Sequence, residues 1–365
     1  MEKVVKMKNF YKNKTVFVTG HTGFKGTWLT RVLLSFGARV VGYSKQEEVK
    51  YLSDLVNNDN LDLIQIVGDI NDYDKLRETF DLYKPQIVFH LAAQAIVSES
   101  YSRTVETYKT NVIGTVNLLE VIRNSDSVIS VINVTTDKVY LNEEWDWGYR
   151  EIDTLNGIDP YSNSKSCSEL VTSSYIHSFF TERKLPISTC RAGNVIGGGD
   201  FSINRIVPDC IQACLNEQDL ILRSPESVRP YQHVLEPIFA YLYIAYKQTL
   251  NYNYSGQYNI GPNDSSCVDT KTLANKIFAE WKTGIKWTQN STENFKESKI
   301  LRLDVSKVKS VFGLEPILDI DYTIKLTVNL YKKIYNGSSI ISEMDKQIKE
   351  YYEKFKEKIC PNYRR

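Results

Sequence analysis

Near the start of the chain three glycines recur at every third position, in Gly20-His21-Thr22-Gly23-Phe24-Lys25-Gly26, and few folds accept such a run. It follows a β-rich stretch at 14–18 (KTVFV) and opens an amphipathic stretch that reaches Phe36. In that context each glycine has a task. Gly20 permits a tight turn, Gly23 lets backbone amides approach a pyrophosphate, and Gly26 lets the helix pack against the sheet. A glycine pattern alone is a weak signal. A strand before it and a helix after it make it a dinucleotide-binding loop.

The next segments agree. Short apolar runs at 38–43, 63–67, 86–90, 128–134 and 187–190 alternate with helical patterns at 74–83, 108–123 and 160–180. Strands separated by helices of that length imply βαβ units. The expected fold class is α/β: a Rossmann-like doubly wound parallel sheet, with a smaller mixed α/β lobe towards the C-terminus. Residues 1–193 are expected to form the cofactor domain, with 233–261 and 317–340 returning to it. Residues 194–232 and 262–316 are expected to form a substrate lobe. Residues 341–365 read as a charged helical tail, solvated or frayed.

Composition narrows the function classes. Lys and Arg number 45 against 44 Asp and Glu, a net charge of +1 over 365 residues. That excludes the chain-wide basic surface of a nonspecific nucleic-acid binder. No apolar run approaches the ~18 residues of a membrane span. The longest, 238–246, stops at Lys247. No apolar leader is visible, so the expected compartment is the cytoplasm. Cys167, Cys190, Cys210, Cys214, Cys267 and Cys360 form no CxxC pair, and Cys210 and Cys214 have no nearby His. They read as free thiols, with no metal site.

Candidate cofactor contacts follow from strand ends. The second strand ends at Ser44-Lys45 instead of an acid. Ser44 suits a ribose hydroxyl and Lys45 tolerates a 2′-phosphate, so NAD and NADP both stay open. Asp69 and Ile70 end the third strand, where they reach an adenine or simply close a turn. Leu91-Ala92-Ala93-Gln94 follows the fourth strand with side chains small enough for backbone to lie along a cofactor. Asn111, on the 108–123 helix, is a further candidate.

Asp159-Pro160-Tyr161 starts the 160–180 helix with a good N-cap and a proline at the first position. Tyr161 and Lys165 then share one helix face. A neighbouring cation favours phenolate, so the lysine is expected to lower the tyrosine's pKa and make it a base.

Together, the 20–26 loop, Tyr161 and Lys165 resemble the extended short-chain dehydrogenase/reductase group that acts on nucleotide sugars. The resemblance covers most of the chain. It narrows at Thr135-Thr136-Asp137-Lys138-Val139-Tyr140, after the fifth strand. The 4,6-dehydratases of the group carry Thr-Asp-Glu here. Lys138 in place of Glu is similar to the CDP-glucose 4,6-dehydratase branch. Residues 144–151 (EWDWGYRE), 191–200 (RAGNVIGGGD) and 229–237 (RPYQHVLEP) resemble that branch too, with Phe201 and Tyr231 standing where tryptophan is expected.

The resemblance implies a hydro-lyase that moves a hydride internally from C4 to the cofactor and on to C6. Tyr161 would take the 4-hydroxyl proton, Thr136 would share that hydrogen bond, and Lys165 would hold the ribose. Asp137, protonated, would release the 6-hydroxyl, and Lys138, neutral, would take the C5 proton. Arg205 and Arg229 read as diphosphate ligands or as surface arginines. Gln94, Trp147, Tyr149 and Asn194 are the other candidate substrate contacts. The group pairs through two long helices, so a homodimer or homotetramer is expected. The other readings are another sugar-nucleotide dehydratase, a 4-epimerase, or a cofactor-sensing protein without chemistry.

Overall fold

A computed structural model of the chain describes residues 2–46, 52–56, 62–289 and 300–359. Cys360 and the end of the charged tail lie outside the described residues. Seven strands form the central sheet: β1 (Thr15–Thr19), β2 (Arg39–Ser44), β3 (Leu63–Val67), β4 (Ile87–His90), β5 (Ser130–Thr136), β6 (Ile187–Ala192) and β7 (Gln257–Ile260). They lie in the order β7-β6-β5-β4-β1-β2-β3, every neighbour parallel. β4, β5 and β6 are buried at every residue. Burial at every position, polar residues included, is what a sheet covered by helices on both faces requires. The doubly wound fold read from the sequence is therefore the one observed. Strand order reverses between β1 and β4, and the crevice beyond their carboxyl ends is where such sheets bind ligands.

Ten principal helices accompany the sheet: α1 (Glu2–Tyr11), α2 (Phe24–Ser35), α3 (Tyr73–Tyr83), α4 (Gly114–Arg123), α5 (Pro160–Tyr175), α6 (Ile206–Asn216), α7 (Leu235–Leu250), α8 (Thr270–Trp281), α9 (Ile320–Tyr335) and α10 (Ile340–Ile359). Two of the expected long helices are interrupted. Thr104–Tyr108 passes through a π turn at Lys109–Ile113 before α4 begins, and α5 ends in another at Ile176–Phe180. A π turn inserts one residue and rotates the face after it. Here it turns Asn111 inward, where it is 1 % exposed. At the exit, Gly114 lies so close to Ile70 that a Cβ would sit 2.5 Å from its Cγ2.

A second apolar core gathers α6, α8 and one face of α9, through Val207, Ile211, Leu273, Ile277, Ile324 and Val328. The other face of α9, Leu326 and Leu330, joins the main core. α9 thus serves both cores. Helix α7 is buried almost throughout and lies against β5 and β6, which explains why its apolar run has no polar face.

The charged tail departs from its reading. It was expected to be solvated or frayed, yet α10 buries Met344, Gln347, Ile348, Tyr351 and Phe355. Their three- and four-residue spacing makes a stripe that the surrounding charges mask in composition. Two polar contacts add to the packing. Arg31 on α2 donates to Asp345 in a two-pronged ion pair at 2.7 and 2.6 Å, and Tyr351 donates to Glu236 on α7 at 2.7 Å. Among the described residues no helix is long and apolar enough to cross a membrane.

Candidate active site

One cavity of about 1340 Å³ runs along the carboxyl ends of the strands. That exceeds the usual few hundred to ~1,000 Å³ of a single-ligand pocket. Its first wall is the glycine loop. Gly20 has φ +71°, and a Cβ there would lie 2.8 Å from the Ala92 amide. A Cβ on Gly26 would lie 2.0 Å from the Gly20 carbonyl. Gly23 differs: its nearest protein atom is 3.5 Å away, so the missing side chain keeps space open on the cavity side. Gly23 is also the N-cap of α2 and offers no side-chain acceptor to the first amides. An uncapped helix start beside open space suits a pyrophosphate.

Thr22, Phe24 and Lys25 line the cavity as expected, and so do Ser44, Asp69, Ile70, Leu91, Ala92, Ala93 and Gln94. His21 does not. Its ring is buried under Gly42, bonded to Ser44 Oγ at 2.8 Å and Gln65 Oε1 at 3.3 Å. It supports the loop from behind, and burial lowers its pKa. Asn111 is likewise a support. It accepts from the Gln94 amide at 2.9 Å and donates to the Gln94 carbonyl and to Ser164. Two supports escaped the sequence reading. Thr19 Oγ1 accepts from the amides of Leu91 and Ala92 at 3.1 Å each, and bonds His90. Burial holds His90 down to about 3. A buried His–Thr pair at two strand ends leaves no periodic trace in sequence. Lys45 sits between Asp69 at 3.5 Å and Glu106 at 3.6 Å.

The catalytic candidates converge at the end of β5. Thr136 donates to Asp137 Oδ1 at 3.0 Å, and Lys138 Nζ donates to the same oxygen at 3.4 Å. Asp137 is fully buried, and its Oδ2 has no hydrogen-bond partner. Gly193 makes this possible, since a Cβ there would lie 3.0 Å from that oxygen. Asp159 caps α5 by accepting from the Ser162 amide at 2.9 Å, which sets Tyr161 and Lys165 facing the cavity. Lys165 donates to the Val134 carbonyl at 3.2 Å. Burial lowers its pKa to about 8, with Glu169 pulling the other way.

Tyr161 corrects an expectation. With protein groups alone acting on it, burial pushes its phenol up to about 12, and the Thr136 hydroxyl lowers it only in part. Arg205 is the cation that opposes this, and desolvation outweighs it because the ring is almost wholly covered.

Arg205, Arg229 and Asn194 line the cavity from the lobe side. Arg205 donates to Asp200 at 2.9 Å, Arg229 donates to the Val228 carbonyl at 2.9 Å, and Asn194 Oδ1 is buried without a partner. Tyr149 and Trp147 fall outside. Tyr149 is buried in a stack between Tyr140 and Trp145, its hydroxyl held by Asn142. Trp147 is 61 % exposed against Trp145. Aromatics in a loop are ambiguous between ligand and packing, and here packing wins.

Behind the site lies a buried pair, Arg191 with Glu169 at 2.6 Å. Thr135 donates to Glu169 at 2.6 Å, and Arg191 reaches Tyr140 at 2.6 Å. The pair ties the end of β5 to α5 and to the loop after it.

Residues 17–327 match the family model described as GDP-mannose 4,6 dehydratase. The chain belongs to that family. Within and around the GDP-mannose 4,6 dehydratase family, the chain is 40% identical over 351 residues to the CDP-glucose 4,6-dehydratase of Salmonella typhimurium, covering 94% of this chain and 98% of that protein. Among solved structures it resembles a UDP-glucose 4-epimerase of Thermotoga maritima with UDP-glucose (TM-score 0.78, 23% identity, 88% and 99% of the two chains). It also resembles a dTDP-glucose 4,6-dehydratase of Bacillus anthracis in complex with NAD (TM-score 0.74, 21% identity, 90% and 99%). The structural likenesses carry the fold; the family rests on the sequence match.

Proposed function

We propose that the protein is a CDP-glucose 4,6-dehydratase, a hydro-lyase that converts CDP-D-glucose to CDP-4-keto-6-deoxy-D-glucose and water with NAD as a bound cofactor. The observation that carries this reading is the 40% identity to the Salmonella enzyme over nearly the whole of both chains. The Asp137-Lys138 pair supports it against a 4-epimerase, which has no water to eliminate and no use for an acid and base beside Thr136.

The residues present fit NAD. The backbone amides of the 20–26 loop and of the start of α2 would hold the pyrophosphate, Lys165 the nicotinamide ribose, and Asp69 with Ile70 the adenosine end. Lys45 is already shared by two carboxylates, and those would repel a 2′-phosphate, which favours NAD over NADP. When bound, NAD would supply the redox chemistry, accepting hydride from C4 and returning it to C6.

The chain's own groups handle protons. Tyr161 takes the proton of the sugar 4-hydroxyl, and the positive charge that bound NAD adds beside it acts against the burial that raises its pKa. Thr136 orients that hydroxyl. The resulting ketone acidifies C5, Lys138 removes its proton, and the protonated Lys138 returns one to C5 when C6 receives hydride. Asp137, adjacent and buried, donates to the departing 6-hydroxyl through its unpartnered oxygen. Thr136 and Asp137 share a hydrogen bond, so the acid is oriented before substrate arrives. The main core would bind the cofactor, the second core would carry the sugar nucleotide, and Arg205, Arg229 and Asn194 would meet the diphosphate across the cleft.

The protein is further proposed to be a homodimer or a homotetramer made of two dimers. Val105, Ile113 and Leu170 are 69, 49 and 56 % exposed on adjacent helices, an apolar face suited to the same face of a second copy. The functional test is incubation with NAD and each of CDP-, UDP-, dTDP- and GDP-glucose, followed by assay for 4-keto-6-deoxy sugar. Product from CDP-glucose supports the reading. Product only with another nucleotide overturns the base, and no product with any overturns the dehydratase.

A further inference from the structure

Lys25 stands in an unfavourable place. It is the second residue of α2, where the helix dipole opposes a cation. It lines the cavity, and among the described residues its ammonium makes no hydrogen bond or ion pair. Burial together with Arg205, Lys165 and Lys138 lowers its pKa to about 8, and Asp137 alone among the stated charges favours its charged form. Dipole, burial and three like charges all disfavour this cation, and an anion beside it would offset each of them.

Position decides which anion. The start of α2 is pinned to the lobe side of the cleft. Trp28 donates to the Gly198 carbonyl at 3.1 Å, and a Cβ on Gly197 would lie 3.1 Å from the Phe24 ring. The 197–199 loop leads directly to Asp200 and Arg205. Arg205 in turn is the N-cap of α6, whose first amides have no side-chain acceptor. The charges that act most on Lys25 are Arg205, Lys165, Asp137 and Lys138, on the lobe and catalytic side of the cavity, and Lys45 and Asp69 at the adenosine end are not among them. Asp200 already partners Arg205, which leaves Lys25 as the cation with charge to spare.

We propose that Lys25, although it belongs to the cofactor loop by sequence, is a ligand of the sugar nucleotide's diphosphate and joins Arg205 in holding it. This rests on the sugar-nucleotide reading above and deepens it. One residue of the loop would then bind the other ligand, so that the diphosphate bridges the cofactor loop and the substrate lobe.

The test is calorimetric binding of CDP and, separately, of NAD to wild type, Lys25→Met and Lys25→Arg. A lost charge-assisted phosphate contact weakens CDP binding on the order of 10- to 100-fold. Lys25→Met is expected to show that loss with NAD affinity within about threefold of wild type, a result that also certifies a folded loop. Lys25→Arg is expected to restore most of the CDP affinity. Unchanged CDP binding overturns the proposal. So does a loss confined to NAD or shared equally by NAD and CDP, since that marks a cofactor-phosphate ligand or a distorted loop. If wild type binds UDP instead of CDP, the base assignment fails and the same comparison is read with UDP.

Discussion

At the scale of single residues, the site is a set of groups whose buried settings decide their chemistry. Asp137 keeps one oxygen bonded to Thr136 and Lys138 and one free. An acid and a base on adjacent residues suit an elimination in which two protons move within one small volume. Removing Lys138 should spare binding and the first proton transfer. Lys138→Ala is expected to lower formation of the 6-deoxy sugar by about 10²- to 10⁴-fold, the usual contribution of a general base, with CDP affinity unchanged. Full turnover in that variant would remove Lys138 from the mechanism. Sequence spacing reveals the identity of Tyr161, Lys165 and the glycines. It does not reveal the setting of Tyr161. A lysine four residues away in sequence suggests a lowered pKa, but only the folded protein shows that burial dominates. His21 and Asn111 teach the same point: both belong to the site by position, and both turn their side chains to the loops behind it.

At the scale of elements, strands such as β1 and β4 were legible because their buried positions read as short apolar runs. β5 shows the limit. Its sequence pattern ends at Val134, whereas the strand continues through the polar Thr135 and Thr136 because Glu169 and Asp137 accept from their hydroxyls. Helix α10 shows another. Its charge suggested a solvated tail, and its stripe of Met344, Ile348, Tyr351 and Phe355 packs into the main core. The polar anchor of that packing is Glu236, which accepts from the amides of Ile317 and Leu318 and from Tyr351. Burial raises its carboxyl from 4.5 to about 7, against the pull of these donors and of Lys354. A raised acid holds a proton in the folded chain that the unfolded chain has already released. Its contribution to stability is complete below about pH 4.5 and is lost as pH rises through about 7. The shift corresponds to about 3 kcal/mol at most. Glu236→Gln should therefore flatten the fall in Tm between about pH 5 and 8 relative to wild type. A parallel fall in both proteins would contradict the assignment.

At the scale of the whole molecule, the parallel sheet fixes the cleft, and the second core closes it from one side. Near-zero net charge is compatible with anionic ligands, because Lys25, Lys138, Lys165, Arg205 and Arg229 line the cleft where two diphosphates would lie. The fold class could be read from the alternation of strands and helices, since each unit obeys local rules. The sharing of α9 between two cores could not, because it depends on packing between segments distant in sequence. The exposed face at Val105, Ile113 and Leu170 makes a prediction at this scale. Leu170→Asp should convert the proposed dimer to monomer in light scattering at micromolar concentration, and a wild-type monomer would contradict the dimer itself.

The central claim is that one cavity moves hydrogen from C4 to C6 of the same sugar. The direct measurement is nuclear magnetic resonance of the product formed from CDP-glucose deuterated at C4, in the presence of NAD. The account predicts a 4-keto-6-deoxy sugar with the deuterium in its C6 methyl group. Deuterium recovered at C4 of a product that keeps its 6-hydroxyl would mean an epimerase, and would contradict it.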